Sequence, residues 1–436
     1  MTLAPVWPAS LRQAPRRGTF QGGPLDFRRR FTPDRGDDIV RRGSTAVVMS
    51  YDGVTFPNLS GAQILAFENW YRDDLKGGGL PFAWRDPVTA ALWLWRINGD
   101  GRLAYSISHR GGDRHDLTIS LIRRPGPPWW AWMIPADRTV APKAAYDFRR
   151  GIYDAGGGPI GRPAAFTFSR ASEGRYFDAD GAIQVAAADM PRIGHHPNTF
   201  ARRGLLVEPA RTNLLTRSSE PGHTNWQAVN ASKAVGSTIY YGPYAALTST
   251  GGGVGYVSLP AVNTTGEVTF SVIVGFPGGT VTGATLFCGG AGNQYGATIL
   301  PGGTWTNIHP LITSVRSERL RGGWWRASVT TSPPAWPLIG GVFIQGAVGS
   351  TVFAGAPQIE QGSAATSYIP TTSAAVARAA DLAGLVTAHG LCDVRVIYDD
   401  GSADTLLSQT LVAGWWPTQA RAHIAGIAVF DAGVLA

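Results

Sequence analysis

Between positions 225 and 381 the sequence is cut at short intervals by glycine clusters, at 251–253, 278–279, 289–290, 302–303 and 322–323. The pieces between them are short and rich in β-branched and aromatic residues. Val268 to Val274 reads V-T-F-S-V-I-V, Trp325 to Thr330 reads W-R-A-S-V-T and Gly341 to Gln345 reads G-V-F-I-Q. Such pieces suit half-buried strands, and glycine supplies the positive φ that tight turns between them demand. A chain punctuated so evenly has no room for the long crossover helices of a parallel sheet. It predicts an antiparallel sandwich or jelly roll, opening near Asn225-Trp226. With 56 Gly, 30 Pro, 15 Trp and only 16% charged residues, the chain has many turns and ample core filling, which excludes a disordered class.

The first 125 residues read differently. Thr45 to Ser50 (T-A-V-V-M-S) predicts a strand and Tyr51-Asp52-Gly53 a turn. Ser60, with Gln63 three residues on, has the pattern of a capping box, and Ile64, Phe67, Tyr71 and Leu75 follow on one helical face. Gly77-Gly78-Gly79 stops that helix. Strands are expected at Leu80 to Trp84, Ala91 to Ile97, Leu103 to Ser108 and Asp116 to Arg123, so this unit is one helix laid on antiparallel strands. Pro125 to Pro163 reads as a stiff connector whose P-G-P-P-W-W-A-W tract packs its indoles on a neighbouring domain. Residues 382–436 carry further strand signals (V-R-V-I-Y-D-D-G-S and A-H-I-A-G-I-A-V-F) but are few for a core of their own, and are expected to pair with the sandwich or a second copy.

Two sets of phrases carry a resemblance. Phe166 to Leu215 contains F-T-F-S-R-A-S, Y-F-D-A-D-G and R-R-G-L-L-V-E-P-A-R-T-N-L-L, and Gln358 to Asp381 contains Q-I-E-Q-G-S-A-A-T-S-Y-I-P-T-T and R-A-A-D. In that order they resemble the frame of a sandwich module of bacteriophage tail and fibre proteins, regarded as carbohydrate-binding. Leu59 to Pro87 (L-S-G-A-Q-I-L-A-F-E-N-W-Y-R-D-D-L-K-G-G-G-L-P-F-A-W-R-D-P) resembles distal or minor tail proteins of long-tailed phages. The resemblances imply a mainly β fold: an N-terminal β-sandwich with one helix, then a jelly-roll, lectin-like β-sandwich, then a short β C-terminal segment. The expected divisions are 1–125, a 126–162 linker, 163–381 and 382–436. The implied role is a structural virion protein of a tail tip or baseplate, assembled in the host cytoplasm. It would dock to the tail tube and other tail-tip proteins, form a ring with copies of itself (a hexamer, or a trimer in a fibre) and present the module to host-surface polysaccharide. A purely structural fibre or decoration protein and a polysaccharide-degrading tail enzyme are the alternatives.

The chemistry legible in the residues is that of binding. No phosphate loop, nucleophile elbow or H-E-x-x-H occurs, and Glu267, Glu318 (in an Arg-flanked turn) and Glu360 form no recognisable pair of acids, so no catalytic residue is assigned. Asp178-Ala179-Asp180-Gly181 reads as a tight turn rather than a calcium loop, and His195-His196 as loop histidines; neither a metal nor a cofactor is expected. Sugars stack their C–H faces on aromatic rings, so aromatics in polar loops are the glycan-binding candidates: Tyr240, Tyr241, Tyr244, the Asn293-Gln294-Tyr295 run, and Trp305 with Asn307. Trp325 is read as core. The net charge of +8 owes much to N-terminal arginines, of which Arg28, Arg29, Arg30, Arg41 and Arg42 are assembly-interface candidates. The aromatic and basic motifs of single-strand binders are missing, so nucleic acid is not an expected partner. Cys288 and Cys392 form no disulfide framework, and no run nears the ~20 apolar residues of a membrane span, so a soluble protein without membrane insertion is expected.

Overall fold

The computed structural model describes residues 5, 7–8, 10–16, 18, 21–24, 28–31, 39–42, 49–88, 92–99, 103–124, 128–138, 140–156, 159–264, 266–278, 280–290, 295–332 and 337–436. These residues are mainly β-strand, arranged in several antiparallel sheets.

In the N-terminal unit the strands Gln21–Pro24, Met49–Leu59, His115–Arg123, Leu92–Ile97 and Phe82–Arg85 lie in that order, and Tyr105–His109 also pairs with His115–Arg123. Most of the predicted strand at Thr45–Ser50 falls outside the described residues. The turn expected at Tyr51-Asp52-Gly53 is instead a bulge inside Met49–Leu59, where the register shifts between Tyr51 and Val54 and Gly53 takes φ 71°. Ser60 caps the helix Gly61–Asn69: its Oγ accepts from the Gln63 backbone at 3.3 Å, while the Gln63 carboxamide accepts from the Ser60 N–H at 3.0 Å. The helix then widens into a π turn, Trp70–Asp74, in which Leu75 N–H donates to the Trp70 carbonyl at 3.0 Å. Trp70 and Leu75 are buried beside Phe67 and Ile64. At the centre of this core stands Trp7, 4.6 Å from Phe56 in a stacked pair and edge-on to Trp70 at 5.4 Å. Its backbone is tied to the sheet, with Trp7 N–H donating to the Ala83 carbonyl at 3.0 Å and Ala83 N–H to the Pro5 carbonyl at 2.7 Å.

A second, eight-stranded sheet unites distant parts of the chain. Pro159–Ile160, Ile152–Asp154, Ala144–Asp147, His423–Asp431, Arg202–Leu206 and Arg192–His195 follow in order, with Gly390–Tyr398 on His423–Asp431 and Ala403–Leu411 beyond it. The stretch expected as a linker and the C-terminal segment therefore meet in one sheet, and the opening phrases of the module join them there. The pairing partner of the C-terminal segment is this sheet rather than the sandwich. His423–Asp431 is its central strand, buried from Ile424 to Phe430. The tryptophan tract packs between the first two units: Trp129, Trp130 and Met133 share a core with Ala83 on one side and Ala428 and Phe430 on the other. Trp132 lies on Gly426, where a Cβ would come within 2.9 Å of the indole.

The sandwich is two six-stranded sheets. One runs Gln227–Val229, Tyr256–Ser258, Leu338–Gly346, Val281–Gly290, Gly296–Ile299, Trp305–Thr306; the other runs Ala231–Thr238, Gly242–Ser249, Thr351–Gln361, Val268–Gly275, Trp325–Thr331, Ile312–Arg319. Their inner faces share a core that includes Leu247, Phe270, Val272, Leu286, Val329 and Ile359. Outside this sandwich the chain closes in nested antiparallel pairs, Arg211–Asn213 with Val376–Arg378 and Phe166–Ser169 with Leu382–Leu385. The two bracketing sets of phrases are thus the paired entry and exit of the sandwich.

Candidate functional site

At that entry and exit lies a buried ionic frame. Arg170 pairs with Asp381 at 3.0 Å, Arg192 with Glu208 at 2.8 Å and also with Asp381, and Arg378 stands 3.4 Å from Glu208 and 3.7 Å from Asp381. All five side chains are buried. Arg170 uses each of its nitrogens, donating to the carbonyls of Ser172 at 2.8 Å, Met190 at 3.3 Å, Ala186 at 3.1 Å and Ala187 at 2.7 Å as well as to Asp381. Glu208 accepts from the Ser367 N–H and hydroxyl, both at 2.7 Å. Burial alone would raise its carboxyl, but Arg192, Arg378 and these hydrogen bonds hold it down at about 2. Gly204 sits beside the frame at φ 109°, and a Cβ there would meet the Ile424 carbonyl at 2.1 Å. Asn213 continues the network, donating to the carbonyls of Ile369 at 2.7 Å and Pro357 at 3.3 Å and accepting from the N–H groups of Leu215 and Ile359, both at 3.2 Å.

On the outer face of the second sandwich sheet the expected aromatic residues gather. Ala245, Leu247, Val352 and Ala354 face the core, so strand alternation turns Tyr244 and Phe353 the other way. Trp324, arriving from the Arg321–Gly323 turn, lies over Gly275, where a Cβ would come within 2.9 Å of its ring. Trp324 stacks on Phe353 (5.4 Å between centroids, 27° between planes), with Tyr244 4.8 Å from Phe353 and 5.2 Å from Trp324. These three rings are half-buried and contiguous. Tyr241 and Tyr240 extend the cluster, Tyr241 at 6.0 Å from Trp324, with the Arg321 guanidinium 4.5 Å over Tyr240. Tyr240 and Tyr241 line a cavity of about 280 Å³ with Arg175, Ile183 and Tyr368. Tyr241 is the more structural of the two: its hydroxyl donates to the Arg321 carbonyl at 3.1 Å, and burial pushes it up to about 12.

Of the remaining glycan candidates, those among the described residues lie by the other sheet. Tyr295 and Trp305 pack against the sandwich core, and Tyr295 lies 4.8 Å from His309. Asn307 is exposed, at φ 49°. Asn293 and Gln294 lie outside the described residues. Among the arginine candidates, the backbones of Arg28–Phe31 and Ile39–Arg42 form a two-stranded ribbon with Arg28 opposite Arg42 and Arg29 opposite Arg41; their side chains lie outside the described residues.

A cavity of about 490 Å³ sits where the sandwich meets the eight-stranded sheet. Its floor is the outer face of the second sandwich sheet, where Glu318, Arg326, Ile273 and Gly355 are cross-strand neighbours in one row. The hairpin Gly174–Phe177/Ile183–Ala186 borders it with Arg175 and Phe177, and Arg203, Asp399, Arg421 and His423 come from the other sheet. Arg203 links two carboxylates, Glu318 at 2.5 Å and Asp399 at 2.8 Å, and Arg421 reaches Asp399 at 3.5 Å and Asp400 at 3.0 Å. Burial and then Arg203 push His423 down to about 4, so it is neutral at neutral pH. Of these residues only Glu318 is weighed as a functional group in the sequence, and the turn expected for it is instead the strand Ile312–Arg319, because its neighbours pair with Trp325–Thr331. The others come from segments far apart in sequence, and no local pattern joins them.

The other two acids are engaged elsewhere. Glu360 is buried and accepts from Thr366 N–H and hydroxyl, both at 2.7 Å; Glu267 accepts from the Thr313 hydroxyl at 3.3 Å. Asp178 serves its turn, accepting from the N–H groups of Asp180 and Ala182, both at 2.9 Å. His196 Nδ1 accepts from the backbone of Asn198 and Thr199, both at 3.2 Å. Cys288 and Cys392 are buried free thiols. Among the described residues no helix is long and apolar enough to cross a membrane.

No family model matches the chain, and no curated protein matches it. Among solved structures, the chain is similar to a carbohydrate-binding module of the beta-sandwich super family, with 15% identity and a TM-score of 0.25 over 48% of this chain and 90% of that one. It is also similar to the tripod from the baseplate of bacteriophage Tuc2009, with 15% identity and a TM-score of 0.26 over 59% of this chain and 87% of that one.

Proposed function

We propose that the protein is a structural component of a phage tail tip or baseplate whose sandwich binds host-surface glycan through the Tyr244–Trp324–Phe353 surface. The observation that carries the binding is this platform: three contiguous, half-buried rings on the outer face of a sheet, one of them lying flat over Gly275. Flat aromatic surface of this kind receives the C–H face of a pyranose, and nearby Tyr240 and Arg321 supply groups for its hydroxyls. The tail assignment rests on the ordered phrases around the sandwich, which resemble the tail and fibre module, and on the Leu59–Pro87 segment. The first unit is the part that docks to the tail tube and meets copies of itself in a ring, with the arginine ribbon at that contact. Weak single-site affinity would gain roughly 10²–10⁴ from display on such a ring.

A glycan array probed with the full chain, multimerised, tests the reading. Trp324→Ala and Phe353→Ala are each expected to weaken the bound glycan by about 2 kcal/mol, or roughly 30-fold, with little change in melting temperature. Absence of binding by the multimerised wild type would reduce the sandwich to a structural role. Release of reducing ends from the bound polysaccharide would make the protein a degrading enzyme. A cryo-EM map of the assembled particle checks the ring and its position.

A further inference from the structure

The junction cavity differs from the aromatic platform in chemistry as well as place. Its cations outnumber their partners: Arg203 and Arg421 are paired with Glu318, Asp399 and Asp400, whereas Arg175 and Arg316 make no ion pair among the described residues. Arg175 is half-buried in the wall of the cavity, and Arg316 stands exposed at its rim. A guanidinium with no carboxylate of the protein against it keeps its charge and its donors available to a ligand anion. We propose that this cavity binds a carboxylate-bearing saccharide, a hexuronic acid unit within an oligosaccharide. Arg175 and Arg316 take the sugar carboxylate, the pairing for which a guanidinium fork is best shaped. Glu318 and Asp399, each already fixed by Arg203, keep oxygen lone pairs for sugar hydroxyls, and Phe177 and Ile273 offer apolar surface. A volume of about 490 Å³ suits a disaccharide and is wasteful for a lone inorganic anion.

This site shares saccharide chemistry with the reading above but none of the platform rings, so the two can fail separately. Titration calorimetry on the full chain would compare cellobiouronic acid, its neutral counterpart cellobiose, and sulfate. The acid is expected to bind at least 10-fold more tightly than cellobiose, more weakly as salt rises, and at least 10-fold more weakly in Arg316→Gln and in Arg175→Gln. Arg316 is exposed, so its substitution leaves the fold intact even if Arg175→Gln does not. Trp324→Ala should leave the acid's affinity unchanged. Equal binding of the two disaccharides, no binding of the acid, or sulfate binding as tightly as the acid with the same variants affected would each overturn the proposal. Loss of the acid's binding in Trp324→Ala would likewise overturn it, by moving the site to the platform.

Discussion

The buried ionic frame and the junction cavity are built from the same residue types and share Glu208, yet they are physically opposite. In the frame three arginines and two acids are buried, and backbone carbonyls, N–H groups and Ser367 complete the two acids and Arg170. In the cavity the pairs around Arg203 are partly exposed, and Arg175 and Arg316 make no ion pair among the described residues. Charged residues as such do not mark a binding site. What separates scaffold from site is whether each guanidinium already stands against a carboxylate of the protein: Arg170, Arg192 and Arg378 do, and Arg175 and Arg316 do not among the described residues.

The sharpest way to break this comparison is to open the frame. Asp381 accepts from Arg170, Arg192 and the Glu208 N–H. Asp381→Ala leaves Arg170 with no anion and takes one of two from Arg192 and from Arg378, and is expected to cost about 3–5 kcal/mol in urea unfolding of the full chain. Asn213→Ala removes the hydrogen bonds that tie the opening phrase to Pro357, Ile359 and Ile369, with its own bond to Leu215, and should cost roughly 2–3 kcal/mol in the same measurement. If either variant unfolds like the wild type, the frame is not what holds the sandwich to the second sheet.

The phrases that carry most of the frame are legible in the sequence, but its ion pairs are not, since Arg192, which meets both acids, stands in none of those phrases; the cavity is not legible either. Arg170, Glu208, Asn213, the Gln358–Tyr368 phrase and Asp381 stand in ordered phrases, and strands such as Val268–Gly275 and Trp325–Thr331 follow from alternation and glycine turns. Tyr240, Tyr241 and Tyr244 were also readable as a group, because one turn and the start of one strand hold all three. Trp7 gave no signal, since it sits outside any periodic segment although it centres the first core. The eight-stranded sheet was hidden for a different reason. Pairing between Ala144–Asp147 and His423–Asp431 is a long-range register, and local patterns specify that a strand forms without naming its partner. The cavity inherits that blindness, because Arg203, Glu318 and Asp399 become neighbours only once those sheets have assembled.

Acid separates the two regions by pH window. His423 is pushed down to about 4 from its ordinary 6.5, so the unfolded chain binds the extra proton between these values. Stability is therefore lost as pH falls from about 6.5 towards 4, by up to about 1.4 kcal/mol per pH unit for this one group. Glu208 is held at about 2 against an ordinary 4.5, so its contribution is complete above 4.5 and is lost as pH falls towards 2. His423→Gln should reduce the slope of the stability profile between pH 6.5 and 5, leaving the share of His195 and His389, which burial also pushes down, while the steeper loss below persists. A variant with an unchanged slope between pH 6.5 and 5 would remove His423 as the source.

The smallest effects test the cavity side of the comparison. Arg203 is 19% exposed and joins Glu318 and Asp399, so Arg203→Gln is expected to cost only about 1 kcal/mol, several times less than opening the frame. Arg316→Gln removes an exposed side chain with no ion pair among the described residues and should leave unfolding within about 0.5 kcal/mol of wild type. The two variants together carry the distinction between scaffold and site. A residue kept for structure shows itself in the unfolding curve, and one kept for a ligand shows itself only in binding. A large stability loss in Arg316→Gln would mean that its charge is already used within the protein, and the cavity would then be a second frame rather than a receptor.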